Sequence, residues 1–332
     1  MDWQRCETLR RLGHNVIGLD QSGHSQQAER RFLRRLGGHA FRTKPVRDLN
    51  AIVMERTHAE RPEILWIDKG LLVQKSTLDC LKSDLPRMKI VAYQDDNPFG
   101  FRKFERPIWR EFIECIPSYD LHFVKRNSDI REFQTRGAKR VEIFVHGFYE
   151  PFFEGAPGRP AEGYQRGIAF MGSQLETRGR VITGLLLRHR LDVHVYGRNW
   201  GRCLGYYFRR ANFHGPYPIE NASKLIRQSK INLGFVSKLN KDEYAGRSIE
   251  IPAAGGFLLA ERTPAHEAFY REGREAEFFS DVPELVAKCN YYLSHERARE
   301  EVALAGYSRT RQDDYSLSRR MQDAVTLIAE LT

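Results

Sequence analysis

A short helix that leads directly into a buried strand is predicted for residues 246–260, GRSIEIPAAGGFLLA. The helix ends at Gly255-Gly256, and the apolar run Phe257–Ala260 is typical of a fully buried strand. Glu250 lies among small apolar residues near the predicted end of the sheet. A buried carboxylate needs a strong partner, and the two hydroxyls of a ribose would satisfy this one.

Two interpretations are open for Arg247, which lies three residues before Glu250 on the same helix face. In the first, Arg247 reaches a phosphate of a bound ligand. In the second, it forms a surface ion pair with Glu250, worth a few tenths of a kcal/mol (~0.2–0.5). We favour the ligand-binding interpretation, with Ser248 and Gly255 as further candidates.

The same alternation of strand and helix runs through the whole chain. Predicted strands are Asn15–Leu19, Glu63–Asp68, Lys89–Gln94, Leu121–Val124, Val141–Val145, Gly167–Met171, Asp192–Tyr196, Ile231–Val236, Phe257–Ala260 and Glu277–Phe279. Predicted helices cover about 2–12, 24–37, 47–60, 105–117, 127–136, 176–190, 219–229, 246–254, 264–271, 282–294 and 296–306. Such alternation indicates an α/β fold with parallel sheets covered by helices on both faces.

A segment rich in proline and glycine, residues 150–160, interrupts this pattern. Its composition is typical of a linker. We therefore predict two tandem Rossmann-like, doubly wound domains: 1–150, then a linker at 151–164, then 165–314. Ligands of such sheets bind outside the carboxyl ends of the strands, which predicts a site in a cleft between the domains.

Two further loops follow predicted strands and are candidates for ligand binding. Gly172-Ser173 precedes a helix with Arg178 near its start, where cations are usually disfavoured. A bound anion such as a diphosphate would explain that arginine. In the second loop, Gly197 and Arg198 stand beside an exposed-looking tryptophan; an ordinary surface loop is the equal alternative.

Charge and composition exclude several classes of protein. The chain has 53 Lys and Arg against 43 Asp and Glu, a net charge of +10. One predicted helix carries a basic stripe of Arg30, Arg31, Arg34 and Arg35. The stripe is either a solvated helix face or a surface that contacts an anionic membrane or a polyanionic acceptor. Five scattered cysteines without a CxxC pair support neither disulfides nor a zinc knuckle. No apolar run is long enough for a membrane span, and no signal sequence is visible, so we expect a cytoplasmic protein with peripheral membrane contact as an option.

In the segments quoted below, the sequence resembles the GT-B glycosyltransferases. It is most similar to their CgeB-like, spore-maturation-type branch, which has a "glycosyl transferases group 1"-like C-terminal domain. The resemblance covers about residues 165–320 and is looser in the first half. The matching segments are IAFMGS (168–173) with Arg178, VYG (195–197), INLGF (231–235), RSIEIPAAGGFLL (247–259), EAEFF (275–279) and, more loosely, LRRLGHNV (9–16) and QDDNPF (94–99).

The resemblance implies that the C-terminal domain binds a nucleotide-diphospho-sugar donor and the N-terminal domain an acceptor. Glu250 would be the ribose-binding glutamate, the second of a Glu-x7-Glu pair, although Asp242 stands at the first position. Gly172, Ser173 and Arg178 would face the diphosphate. The last helix, within 315–332, would cross back to the first domain.

The chain departs from the family at its start. Members open with a strand and a glycine-rich turn before a Leu-Arg-Arg-Leu-Gly-His helix, whereas this sequence begins inside that helix. We therefore expect an N-terminal domain without its first strand, either by nature or because the chain start is truncated.

Catalytic groups are expected where charge develops in the reaction. Metal-independent sites stabilise the leaving diphosphate with arginine, lysine and helix N-termini, so we expect no essential metal and no cofactor beyond the donor. A general base would be Asp95 or Asp96, which also suit an Asx turn, or His146. Tyr217 is a candidate for stacking on a base or sugar, as are Tyr196 and Trp200, although core packing is the commoner role of aromatic residues.

The acceptor is open between a glycan, a lipid-linked glycan, a protein and DNA. Three other functions suit the same pattern: a nucleotide-sugar epimerase or hydrolase, a phage-type DNA glycosyltransferase, and a non-catalytic binding protein. Incubation with nucleotide sugars, with and without acceptors, separates these possibilities, and DNA binding would weaken steeply with salt.

Overall fold

The computed structural model describes residues 3–20, 44–100, 106–153, 157–158 and 160–331, with the side chains of 106–108 excepted. The predicted helix at 24–37 and the basic stripe of Arg30, Arg31, Arg34 and Arg35 lie outside these residues. Contacts divide the chain into two compact units. The first comprises Met1–Val145 with Arg320–Thr332, and the second comprises His146–Arg319.

The first unit contains a parallel four-stranded sheet in the order β1-β2-β3-β4. Its strands are β1 (Ile64–Asp68), β2 (Lys89–Gln94), β3 (Leu121–Val124) and β4 (Val141–Ile143). Its helices are α1 (Trp3–Arg11), α2 (Lys44–Glu60), α3 (Lys75–Asp84), α4 (Arg106–Cys115) and α5 (Asn127–Gln134). The core between sheet and helices includes the buried residues Leu49, Leu78 and Ile90.

The predicted strand Asn15–Leu19 is wrong. Residues 14–20 have no regular secondary structure, and Ile17 and Leu19 are exposed. This segment and β1 line a groove of about 510 Å³. A strand is stabilised by hydrogen bonds to a neighbouring strand, and within the described residues β1 pairs with β2 alone, so segment 14–20 forms no ladder with it.

The second unit contains a parallel five-stranded sheet in the order β6-β5-β7-β8-β9. The strands are β5 (Arg166–Met171), β6 (Val193–Tyr196), β7 (Ser229–Gly234), β8 (Leu258–Glu261) and β9 (Glu277–Phe279). The helices are α6 (Arg178–Thr183, continued as a π-helical turn over Gly184–Arg188), α7 (Leu204–Phe208), α8 (Ala222–Arg227), α9 (Gly246–Ala253), α10 (Pro264–Phe269), α11 (Val282–Ser294) and α12 (Glu296–Gln312).

Both faces of the second sheet are buried, as expected for parallel strands covered by helices. Along β5, Ile168 and Phe170 pack in one apolar cluster, whereas Ala169 and Met171 pack in the other. The strand residues alternate between the two faces because side chains along a strand point to opposite sides.

The last helix, α13 (Leu317–Ala329), starts in the second unit, and its residues from Arg320 onward belong to the first. No described helix is both long and apolar enough to span a membrane. The α/β class with two parallel sheets is confirmed. Two helices, α3 and α7, were not predicted.

Candidate functional site

The loops that follow three neighbouring strands of the second sheet are tied together at its carboxyl edge. The backbone N–H of Gln174, after β5, donates to the carbonyl of Arg198, after β6, at 2.9 Å. The guanidinium of Arg178 lies 3.2 Å from the carbonyl oxygen of Ser173 and 3.5 Å from that of Phe235, after β7. The predicted loops 172–173 and 197–198 are therefore brought together with Arg178.

Gly172 and Gly197 approach each other too closely for a side chain. A Cβ at Gly197 would lie 2.1 Å from the carbonyl oxygen of Gly172. The same carbonyl accepts a hydrogen bond from Nε1 of Trp200 at 3.0 Å. Trp200 itself is buried against Phe170, so the expected exposure of this tryptophan is wrong.

We predict that Gly197→Ala lowers the free energy of unfolding by about 2–3 kcal/mol, because its methyl group must displace backbone atoms. Urea denaturation measures the loss. Gly201→Ala, in the same loop, is the matched control: a Cβ there meets no atom within 4 Å, so stability should change by less than about 0.5 kcal/mol. Equal effects of the two substitutions would contradict the close approach.

Arg178 retains hydrogen-bonding capacity beyond its two carbonyl contacts. Its Nε is buried and has no hydrogen-bond partner among the described residues. Burial lowers the pKa of Arg178, while the carboxylates of Glu176, Glu261 and Asp242 act in the opposite direction. A partly buried guanidinium with an unused donor is suited to bind an anion.

Glu250 and Arg247 form an ion pair across one turn of α9, and Arg247 also donates to the hydroxyl of Tyr217. Only 13% of the Glu250 side chain and 20% of the Arg247 side chain are exposed. Burial lowers the pKa of Arg247 and raises that of Tyr217. The ion pair with Glu250 was the second of the two interpretations for Arg247. The low exposure of both side chains shows, however, that this is not an ordinary surface pair.

The first turn of α9 is capped from within. The Ser248 hydroxyl accepts the backbone N–H of Ala245 at 3.1 Å and lies 2.7 Å from Nε2 of His266. The other ring nitrogen of His266 lies 2.6 Å from the carbonyl oxygen of Glu261 and therefore donates to it. Ser248 is buried, and its hydroxyl is hydrogen-bonded to Ala245 and His266. It therefore caps the helix, and we remove it from the donor-site candidates.

His146 borders the start of α9. A Cβ at Gly246, the first residue of the helix, would lie 2.9 Å from Nε2 of His146. The backbone N–H of His146 donates to the hydroxyl of Tyr244 at 3.1 Å. The imidazole therefore lies beside a helix N-terminus, whose partial positive charge favours anions.

Gly255 lies at the opposite end of α9. Its φ of +77° is left-handed and is typical of a residue that ends a helix. A Cβ there would lie 2.8 Å from Pro157. Gly255 is therefore a helix terminator remote from the first turn. Arg198 is exposed, and among the described residues its contact is through its backbone carbonyl to Gln174.

Asp95 and Asp96 lie in the first unit, after β2, and converge on one lysine. The Lys69 ammonium is 3.2 Å from Asp95 and 2.8 Å from Asp96, so both carboxylates face the same cation. Partial burial raises the pKa of Asp95, but the attraction of Lys69 outweighs it, and the pKa is lowered. A carboxylate held ionised in this way is a weak general base.

Sequence reasoning missed two carboxylates that shape the site. Glu176 accepts hydrogen bonds from the Ser237 hydroxyl at 2.7 Å and from the backbone N–H groups of Lys238 and Leu239 at 3.0 and 3.2 Å. Glu261 accepts from the backbone N–H of Val236 at 2.8 Å. Together they fix the loop after β7. The sequence gives little indication of this role, since Glu261 is simply the last residue of β8 and Glu176 lies in the loop after β5.

Comparisons with known proteins agree with this geometry. Residues 178–326 match the family model described as "Glycosyl transferase-like". No curated protein matches the chain by sequence.

Solved structures of similar fold cover most of the chain. The structure of the Anabaena protein HepE in complex with UDP-glucose has a TM-score of 0.63 at 11% identity, covering 85% of this chain and 82% of that one. The UDP-forming trehalose-phosphate synthase from Burkholderia xenovorans has a TM-score of 0.59 at 15% identity, covering 90% and 80%. The E. coli trehalose-6-phosphate protein bound with UDP-2-fluoro glucose has a TM-score of 0.59 at 15% identity, covering 87% and 78%.

The predicted GT-B architecture is thus confirmed, whereas the assignment to the CgeB-like branch stays a prediction. Residues 178–326 are thus similar to the glycosyl transferase-like family, and the chain as a whole has the GT-B fold.

Proposed function

We propose that the protein transfers a sugar from a UDP-sugar to the hydroxyl of an acceptor, with the donor held by the second unit. The observation that carries the proposal is the largely buried carboxylate of Glu250 on α9, the helix whose first turn borders His146. The UDP ligands of HepE and of the E. coli protein support the choice of uridine.

The nucleoside would bind through Glu250 and Tyr217. A ribose presents two vicinal hydroxyl donors, and an ionised carboxylate accepts both. Arg247 already holds Glu250 and Tyr217 in fixed positions through its hydrogen bonds. The ring of Tyr217 would then stack on the uracil base.

The diphosphate would bind at the first turn of α9 and at Arg178. The N-terminus of a helix carries a partial positive charge, which favours phosphate oxygens. Arg178 supplies a positive charge with an unused donor. Both would stabilise the negative charge that develops on the leaving diphosphate, which is the reason to propose transfer without a metal ion.

Inversion at the anomeric carbon would require a general base near the acceptor hydroxyl. We favour His146 over Asp95 and Asp96, because His146 lies beside α9 whereas the two aspartates are committed to Lys69. Glycan, lipid-linked, protein and DNA acceptors all remain proposals, as do peripheral contact with an anionic membrane and the CgeB-like branch.

The test begins with thermal unfolding in the presence of UDP, GDP, ADP and uridine. A ligand at about 100 times its Kd stabilises the native state by about 2.7 kcal/mol, so UDP should raise Tm by several degrees. UDP release from UDP-sugars in EDTA, with and without acceptor, then tests the reaction.

Acceptor-dependent release of UDP is the expected result. Release without any acceptor, or a changed sugar in the recovered nucleotide, would indicate the hydrolase or epimerase instead. The absence of a Tm shift with every nucleoside diphosphate would contradict the donor site itself.

A further inference from the structure

The short helix α7 presents three large apolar side chains to solvent. Leu204, Tyr207 and Phe208 are 59%, 70% and 67% exposed. Their spacing of three and four residues places them on one face of the helix. Contiguous exposed apolar groups of this kind mark interaction sites in soluble domains. We call these three residues, with Arg202, Arg209 and Arg210, the α7 patch.

The opposite face of α7 is firmly attached to the second unit. The backbone N–H of Gly205 donates to the Thr183 hydroxyl at 3.0 Å, and a Cβ at Gly205 would lie 3.1 Å from that oxygen. Cys203 is buried. Tyr206 packs edge-to-face on Phe213, with ring centroids 5.5 Å apart. The exposed face is therefore held outward by a well-packed helix.

The α7 patch is strongly basic. Residues 193–219 contain four arginines and no acidic residue. Arg202, Arg209 and Arg210 are exposed and form no ion pair with any other residue that the structure describes. Arg210 lies over the ring of Tyr206, with its guanidinium carbon 5.8 Å from the centroid. Exposed apolar side chains are thus flanked by exposed cations.

We propose that the α7 patch binds the surface of an anionic lipid bilayer. Leu204, Tyr207 and Phe208 would enter the boundary between headgroups and acyl chains, as the apolar faces of interfacial helices do. Arg202, Arg209 and Arg210 would bind lipid phosphates, which supply the negative charge that the patch lacks. The inference uses no residue of the donor site and is independent of the proposed function.

Charge favours a bilayer over a second copy of this chain. A symmetric contact brings the same patch of both copies together, so the arginines would face each other and repel. A bilayer also accommodates the aliphatic Leu204, whereas single-stranded nucleic acids are bound by stacking on aromatic side chains.

The experiment is co-sedimentation of the protein with vesicles of phosphatidylcholine alone, or of phosphatidylcholine and phosphatidylglycerol at a ratio of roughly 7:3. Both are measured at low and high salt. We expect binding to the anionic vesicles that weakens with salt. Each of Arg209→Ala and Arg210→Ala should weaken it about fivefold, since one cation near the surface contributes about that factor. The triple variant Leu204→Ser, Tyr207→Ser, Phe208→Ser should lose at least tenfold (order of magnitude) with unchanged Tm.

Matched controls lie on α11 and α12 of the same unit. Tyr291 and Leu304 are 48% and 53% exposed, and their replacement by serine should leave vesicle binding unchanged. The proposal is overturned if the wild-type protein ignores anionic vesicles at low salt, or if the triple variant binds like wild type. It is also overturned if the triple variant binds vesicles normally but has lost a wild-type ability to form dimers in gel filtration or to bind single-stranded DNA.

Discussion

Replacement of Glu250 by alanine should lower kcat/KM for the UDP-sugar by about 10²–10⁴-fold, because two hydrogen bonds to a charged carboxylate, each worth about 1.5–3 kcal/mol, disappear. The loss should fall mainly on donor binding. Initial rates at varied donor concentration, with a fixed acceptor, measure it.

The controls for Glu250 must account for its partner. Removing the carboxylate leaves Arg247 half-buried without its ion pair, which destabilises the fold. Glu250→Gln keeps the shape and should also lose activity. Glu267→Ala removes an exposed carboxylate that pairs with Arg262 at 3.1 Å in the same unit, and should leave kcat/KM unchanged. Unchanged kinetics in a folded Glu250→Ala protein would remove Glu250 from the donor site.

Arg178→Ala should weaken the binding of UDP by about 50–100-fold, while the binding of uridine changes little, because charge-assisted hydrogen bonds to phosphate are worth about 1.5–3 kcal/mol. Isothermal titration with both ligands measures the difference. The loss of affinity for UDP must be compared with the loss for uridine, because Arg178 also contacts the carbonyl oxygens of Ser173 and Phe235. Loss of these contacts alone would weaken the binding of both ligands equally.

Arg180→Ala is the matched control for Arg178. Arg180 lies two residues later on α6, is exposed and forms no ion pair with any described residue. Its replacement should leave both affinities within about twofold of wild type. Equal weakening of UDP and uridine by Arg178→Ala would contradict the phosphate role.

Much of the second unit was predictable because its strands are continuous apolar runs bounded by polar residues. The strand Glu277–Phe279 was predicted at its observed limits. The wrong prediction of a strand near the N-terminus has a physical reason. Asn15–Leu19 has strand-like composition, but a strand also needs a neighbour in the sheet, and sequence pattern does not reveal whether one is present.

The candidate site was predictable where its residues are close in sequence. Arg247 and Glu250 are one helical turn apart, so their pairing could be foreseen. The contacts of Glu176 with residues 237–239 and of His146 with Gly246 join segments 61 to 100 residues apart. Such contacts follow from the packing of the whole unit, and the buried role of Trp200 was hidden for the same reason.

The account depends on the carboxylate of Glu250 accepting both hydroxyls of the donor's ribose. The most direct measurement compares the Kd of UDP with that of 2′,3′-dideoxy-UDP, by isothermal titration on the wild-type protein. We predict that UDP binds at least about 50-fold more tightly, because the dideoxy ligand lacks both ribose hydroxyls that would donate to the carboxylate. Equal affinities for the two nucleotides would contradict the account.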